Sequence, residues 1–113
     1  LPSYTELALL LRQQGEEPEA IIILEQAVKL KNIPSYTELA KIHYSNNQAP
    51  EAIDLLKEAL ALDNKDIINI NLLAKMLAES HREKELIDLY KEAETHYPNQ
   101  FRNKIDKIIN KQN

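Results

Sequence analysis

The strongest constraint on the fold of this chain is an internal repeat. The segment Pro2–Ala8 returns letter for letter as Pro34–Ala40, 32 residues later. Pro18–Ile21 recurs as Pro50–Ile53 at the same offset. Repeats of about 20 to 50 residues are typical of arrays in which each repeat is one supersecondary unit stacked on the next. The sequence therefore predicts a stacked repeat protein, an architecture that presents surfaces and rarely carries chemistry.

Within each copy the apolar residues follow helical spacing. The first helix is predicted from about Pro2 to Gln14, with an apolar stripe at i, i+3, i+4 and i+7: Tyr4, Leu7, Ala8 and Leu11. Gly15 should end this helix, because glycine adopts the left-handed backbone of a helix stop. Asn47 stands at the same place in the second copy and tolerates that geometry. Asn32 is the predicted N-cap of the third helix.

A third, more divergent copy follows. Ile87–Ala93 mirrors Ile53–Ala59 at an offset of 34 residues. The last segment holds four apolar residues on one side and is otherwise polar, which is typical of a helix that covers the end of an array. We expect an all-α, right-handed α-solenoid formed as a single array over residues 1–113. Its predicted parts are hairpins at 2–31, 34–63 and 66–97 and a capping helix at 99–111.

Composition narrows the possible functions. The chain has 113 residues and a net charge of −4, which argues against a broad phosphate-binding surface. It has no cysteine, so disulfides and thiolate metal sites are excluded. No apolar run approaches the roughly 20 residues of a membrane span. The first residue is Leu1, and we expect a fragment or a processed product. A soluble and cytoplasmic protein is the expectation, although the composition leaves the compartment open.

The pattern of all three copies resembles the tetratricopeptide repeat, a helix–turn–helix of 34 residues. The resemblance rests on a large residue, a Leu-Ala pair, an apolar residue, a turn residue and three spaced positions of the second helix. In the first copy these are Tyr4, Leu7, Ala8, Leu11, Gly15, Ala20, Leu24 and Ala27. In the second they are Tyr36, Leu39, Ala40, His43, Asn47, Ala52, Leu56 and Ala59. In the third they are Ile70, Leu73, Ala74, Leu77, His81, Leu86, Tyr90 and Ala93, followed by Pro98.

The resemblance implies a non-catalytic scaffold whose first helices line a groove for an extended peptide or a partner helix. The groove positions carried over by pattern are Thr5, Leu9, Arg12, Thr37, Lys41, Tyr44, Ser45, Asn71, Lys75, Ala78 and Glu79. Three of these are cations and one is an acid, and Leu9 and Tyr44 supply apolar contacts. The expected partner is a protein or peptide with acidic and apolar residues.

Two other modes of binding are less consistent with the sequence. Some family members clamp a chaperone's terminal carboxylate, but none of the matching positions here carries the required residue: Thr5, Leu9, Glu38, Ile68 and Leu72. The chain also has some similarity to the pentatricopeptide repeat, which reads RNA. That remote alternative has the wrong spacing, and the acidic balance disfavours nucleic acid as a partner.

A different class of function is self-association. The first repeat is more apolar than the second, and we expect Leu10, Ile22 and Ile23 to pack on something else. Candidates are a second copy of the chain, giving a homodimer, or missing upstream repeats. In that alternative the groove would bind no partner.

An enzyme is not expected, and no cofactor or metal is predicted. The single glycine rules out a glycine-rich phosphate loop. His43 falls in the apolar stripe, where a packed histidine is the favoured interpretation. His81 and Glu85 have i, i+4 spacing, but two ligands are too few for an ordinary zinc site.

Overall fold

A computed structural model describes the backbone of residues 2–112 and the side chains of residues 2–111. Within that range the secondary structure consists of seven α-helices without a strand, which confirms the predicted all-α class. The helices are α1 (Tyr4–Gln13), α2 (Glu17–Lys29), α3 (Ile33–Ser45), α4 (Ala49–Leu62), α5 (Ile67–Glu79), α6 (Glu83–His96) and α7 (Arg102–Gln112). The chain forms two compact units, residues 1–62 with α1 to α4 and residues 63–113 with α5 to α7.

Side-chain caps start the first helix of each hairpin. The oxygens of Ser3, Asn32 and Asp66 accept hydrogen bonds from the backbone N–H three residues later, at 3.1, 3.2 and 3.2 Å. A cap of this kind satisfies one of the N–H groups that a helix start leaves unpaired. The predicted cap at Asn32 is confirmed. α1 begins two residues later than predicted, because Ser3 is its cap and Pro2 precedes the helix.

The turns are set by backbone conformation more than by residue type. α1, α2, α3 and α5 are each followed by a residue with positive φ: Gly15 at 78°, Lys31 at 63°, Asn47 at 63° and His81 at 58°. In each case the next N–H donates to the carbonyl five residues back, at distances of 2.8 to 3.0 Å. This bond is the mark of the Schellman motif, which satisfies carbonyls at a helix end. The predicted helix stops at Gly15 and Asn47 are confirmed.

Part of the core of the first unit lies where α1, α2 and α3 meet. Ala8, Ala20, Leu24, Leu39 and Ile42 form one buried cluster. The alanines allow close approach of the helices, and the larger side chains fill the remaining space. This cluster packs the first hairpin against α3.

A hydrogen bond ties α3 to α2 beside this cluster. The hydroxyl of Tyr36 donates to the backbone carbonyl of Val28 at 3.1 Å. Tyr36 is buried, so the ring fills space while its polar end meets a carbonyl. A second tie is nearer the surface, where the amide of Asn46 donates to the carboxylate of Glu17 at 3.0 Å.

In the second unit α7 packs on α6. Phe101 is buried and stacks on Tyr90, with ring centroids 5.5 Å apart and planes at 24°. The carboxylate of Glu94 accepts hydrogen bonds from the N–H groups of Asn99 and Phe101, which fixes the turn before α7. The hydroxyl of Tyr97 donates to the carbonyl of Lys65 and so joins the end of α6 to the start of the unit.

Candidate functional site

Apart from the last residue, one position of each first helix is exposed in all three hairpins. It is occupied by Leu9 in α1, Lys41 in α3 and Lys75 in α5. The residues on both sides of Lys41 and of Lys75 are buried, so these lysines point away from the core. Leu9 is 56% exposed, although the neighbouring Ala8 is buried. Single exposed apolar residues are common, however, and Leu9 alone does not define a site.

We group five of the predicted groove residues of the first unit, none of them buried, under the name α1–α3 stripe. Arg12 and Lys41 are exposed, as is Leu9, whereas Thr5 and Tyr44 are half-buried. α1 and α3 contact one another, so residues on the two helices lie on neighbouring surfaces. The stripe therefore combines two cations with an apolar side chain and a tyrosine.

Two other predicted groove residues offer less to a ligand. Thr37 is buried, and its hydroxyl donates to the carbonyl of Ile33 at 3.5 Å. The hydroxyl of Ser45 donates to the carbonyl of Ile42 at 2.9 Å. Both hydroxyls are thus directed to the backbone of their own helix. We leave Thr37 and Ser45 out of the α1–α3 stripe for this reason.

The cations of the α1–α3 stripe lie near carboxylates. The Nζ of Lys41 is 3.3 Å from Oε1 of Glu38, and the Nε of Arg12 is 4.0 Å from Oε2 of Glu17. All four side chains are more than a third exposed. Exposed ion pairs contribute at most about 1 kcal/mol, because water screens them. These neighbours weaken the positive character of the stripe without removing it.

The second unit has its own exposed set on α5. Asn71, Lys75, Ala78 and Glu79 are all exposed and are spaced i, i+4, i+7 and i+8, so they share one face of the helix. The neighbouring Asn69 is buried, and its amide donates to the carboxylate of Asp66. We call these four exposed residues the α5 stripe.

The residues predicted for self-association differ in exposure. Leu10 is 49% exposed and Ile22 is 53% exposed. Ile23 is half-buried. All three belong to the first hairpin of the first unit.

The structure also holds a cleft that the sequence patterns did not indicate. It has a volume of about 400 Å³ and is lined by Glu25, Val28, Lys29, Leu39, His43, Glu51 and Leu55. These residues come from α2, α3 and α4, and for that reason no single motif could have found them. His43 was predicted to be packed. It is half-buried in this wall, with Nδ1 2.7 Å from Oε1 of Gln48.

The described residues do not bring together a metal site. Residues 2–111 contain no group of three histidine, cysteine or acidic side chains that could hold an ion. The carboxylate of Glu85 accepts two hydrogen bonds from the guanidinium of Arg82, while His81 is exposed at the turn. Across the same part of the chain, each helix is too short or too polar to traverse a bilayer.

Comparisons with known proteins agree with this arrangement of hairpins. Two tetratricopeptide repeat models match the chain, one over residues 1–34 and the other over residues 35–62. Together they cover more than half of the chain, which therefore belongs to the tetratricopeptide repeat family. No curated protein matches the sequence.

A solved structure extends the similarity over most of the chain. It is described as a crystal structure of a Podosopora anserina putative kinesin light chain with nearly identical TPR-like repeats. The identity is 25%, the TM-score is 0.58, and the match covers 88% of this chain and 56% of that chain. This chain thus spans little more than half the length of the protein it resembles. Tetratricopeptide repeats generally mediate protein–protein interactions and are typically non-catalytic.

Proposed function

We propose that this protein is a non-catalytic scaffold that binds an extended peptide or partner helix along its first helices. The binding residues in the first unit are those of the α1–α3 stripe, namely Thr5, Leu9, Arg12, Lys41 and Tyr44. The α5 stripe is a second contact surface. The preferred partner carries acidic side chains interspersed with apolar ones and is a protein rather than a nucleic acid.

The observation that carries this proposal is the exposed position occupied by Leu9, Lys41 and Lys75 in the three first helices. Leu9, Lys41 and Lys75 are exposed at the same place of their hairpins, next to residues that are buried in the core. Two are cations and one is apolar, although the chain as a whole has a net charge of −4. A surface that differs in charge from the rest of the protein steers partners of opposite charge.

Charge alone would give only modest affinity. Lys41 already has Glu38 at 3.3 Å, so an acidic partner must compete with that neighbour. Leu9 and the ring of Tyr44 would supply the apolar contacts that a bound segment needs. Aromatic and cationic residues together are typical of the positions that contribute most to binding.

The test uses the full chain as bait for a random peptide library displayed on phage. The strongest peptides are then measured by isothermal titration calorimetry against the unmodified chain, Lys41→Glu and Lys29→Glu. Both variants change the net charge equally, but Lys29 lies exposed on α2, outside the stripe. We expect enrichment of peptides with Asp or Glu beside Leu, Ile or Phe.

The two variants should separate clearly. Lys41→Glu replaces an attraction by a repulsion of about 1 kcal/mol or more, which raises Kd at least about fivefold. Lys29→Glu should change Kd by less than about twofold. Peptides without acidic enrichment, or equal losses in the two variants, would show that the stripe is not the binding surface.

A further inference from the structure

The cleft beside His43 has an apolar lining. Leu39 of α3 is buried, and Val28 of α2 and Leu55 of α4 are half-buried and pack against the cluster to which Leu39 belongs. α2 and α4 both pack on α3. The volume of about 400 Å³ lies within the range of about 300 to 1,000 Å³ that is usual for ligand sites. The cleft can therefore take the apolar part of a ligand.

The charged residues of the cleft carry a surplus of negative charge. Glu25 of α2 and Glu51 of α4 are exposed carboxylates on two different helices. Lys29, also exposed, adds one positive charge, so two negative charges and one positive charge leave a net charge of −1. A lining of this composition favours a ligand that joins an aliphatic part to a cation, because long basic side chains cover apolar surface while their heads stay at the rim.

His43 distinguishes the second repeat from the other two. The same position holds Leu11 in the first repeat and Leu77 in the third. In the second repeat the imidazole is half-buried in the wall of the cleft, with Nδ1 2.7 Å from Oε1 of Gln48. An amide oxygen only accepts hydrogen bonds, so Nδ1 carries the proton and Nε2 of the neutral ring is an acceptor. The cleft thus has a hydrogen-bond acceptor where the repeat pattern otherwise has a leucine.

We propose that this cleft binds an arginine side chain of a partner protein. The aliphatic part of the arginine lies against Val28 and Leu55, and its guanidinium donates to the carboxylates of Glu25 and Glu51 and to Nε2 of His43. A guanidinium has five N–H donors in a rigid fork, so one head group offers a donor to each of these three acceptors. An acidic side chain would be repelled by the rim, and a purely apolar one would leave the acceptors unused.

The cleft is separate from the α1–α3 stripe. His43 follows Lys41 by two residues, which is about 200° around a helix, so the two side chains lie on opposite sides of α3. None of the five residues of the stripe lines the cleft. The stripe prefers acidic partners and the cleft a basic one, so the two surfaces select different segments. The inference therefore goes beyond the proposed function and does not depend on it.

The duplicated sequence supplies a matched control. Glu19 and Glu51 occupy the same position of the segment Pro18–Ile21 and its copy Pro50–Ile53. Both are exposed and lie in the first turn of their helices, but Glu19 does not line the cleft. Glu19→Gln and Glu51→Gln therefore remove the same charge from the same local sequence, and only the second change removes it from the cleft.

The experiment titrates the isotopically labelled full chain with blocked tripeptides and follows its amides by two-dimensional NMR. The peptides are acetyl-Leu-Arg-Leu-amide and its counterparts with citrulline or glutamate in place of arginine. Citrulline keeps the length and the planar head of the arginine side chain but carries no charge. The spectra give Kd and also show which helices the peptide contacts. Glu51→Gln, Glu19→Gln and His43→Leu are titrated in parallel, after circular dichroism has shown that they fold like the parent.

The arginine peptide should shift amides of α2, α3 and α4 around the cleft and should bind at least about fivefold more tightly than the citrulline peptide. Glu51→Gln should raise Kd about threefold to tenfold, whereas Glu19→Gln should raise it less than about 1.5-fold. His43→Leu introduces the residue of the other two repeats, and it should raise Kd about threefold through the lost acceptor. The glutamate peptide should not shift these amides.

Three results would overturn the proposal. Arginine and citrulline peptides that bind equally would show that the cleft does not select a cation. Equal losses in Glu51→Gln and Glu19→Gln would show that the charge of the whole surface matters and not that of the cleft. Amide shifts that do not saturate, or that lie outside α2, α3 and α4, would show that the arginine does not bind here. The test of the α1–α3 stripe uses acidic peptides and Lys41→Glu, so either proposal can fail while the other stands.

Discussion

The two tyrosines of the duplicated segment allow a direct test of how burial stabilises the first unit. Tyr36 is buried against α2 and hydrogen-bonded to Val28, whereas Tyr4 is more than one-third exposed. Replacing a buried aromatic side chain by alanine costs about 3 to 5 kcal/mol, since apolar contacts are lost and a cavity remains. We therefore expect Tyr36→Ala to lower the free energy of unfolding by that amount, and Tyr4→Ala to lower it by about 1 kcal/mol.

Phenylalanine variants separate the hydrogen bond from the ring. Tyr36→Phe removes only the donor to the Val28 carbonyl, and we expect a loss of about 0.5 to 1.5 kcal/mol. Tyr4→Phe should change the free energy of unfolding by less than about 0.5 kcal/mol, as is usual for surface substitutions.

The assay is urea unfolding at 25 °C followed by circular dichroism, with the four variants and the parent measured side by side. Amide hydrogen exchange of α1 to α3 serves as a second probe, because neighbouring repeats can unfold in steps. Equal losses for Tyr4→Ala and Tyr36→Ala would refute the reasoning. So would a Tyr36→Phe variant that is as stable as the parent.

Two further predictions concern a turn and an aromatic contact. Gly15 has φ of 78°, and nothing lies within 4 Å of a Cβ added there. Gly15→Ala should therefore lower the free energy of unfolding by about 1 kcal/mol through backbone strain alone, and Gly15→Asn by less than half of that. Urea midpoints of the two variants measure these losses, and equal losses would contradict the prediction. Burial raises the pKa of Tyr90 above its ordinary value of 10.0. The folded state therefore holds the phenolic proton more tightly than the unfolded state does. The resulting stability is present below pH 10 and is lost as the pH rises above it. The drop in Tm between pH 9 and pH 11 should therefore be smaller in Tyr90→Phe than in the parent, and identical drops would count against the assignment.

Most of the fold could be predicted because the repeat makes the pattern explicit. The helical spacing of apolar residues, the helix stop at Gly15 and the helix cap at Asn32 are local properties, and the structure retains all of them. The turn at Lys31 was harder to predict, since lysine does not favour positive φ. The hydrogen bonds of the helix end hold it there. The conformational preference of the residue alone therefore does not predict such a turn.

The candidate surface was less accessible to sequence reasoning. The repeat pattern predicted that Lys41 and Lys75 are exposed on their helices. It could not show that Thr37 is buried or that Glu38 lies close to Lys41. The cleft beside His43 draws on three helices and appears only when they are assembled. Surfaces of this kind depend on distances between elements, which periodicity within one element does not specify.

The four Schellman turns have a consequence for how such chains diverge. A turn held by backbone hydrogen bonds constrains the path of the chain while leaving the identity of its left-handed residue open to glycine, lysine, asparagine or histidine. Each replacement adds a small strain that the packed helices absorb, so substitutions can accumulate at these corners without altering the trace. Descendants of one ancestral hairpin can thus lose the glycine that marks them in an alignment long before they lose their shape.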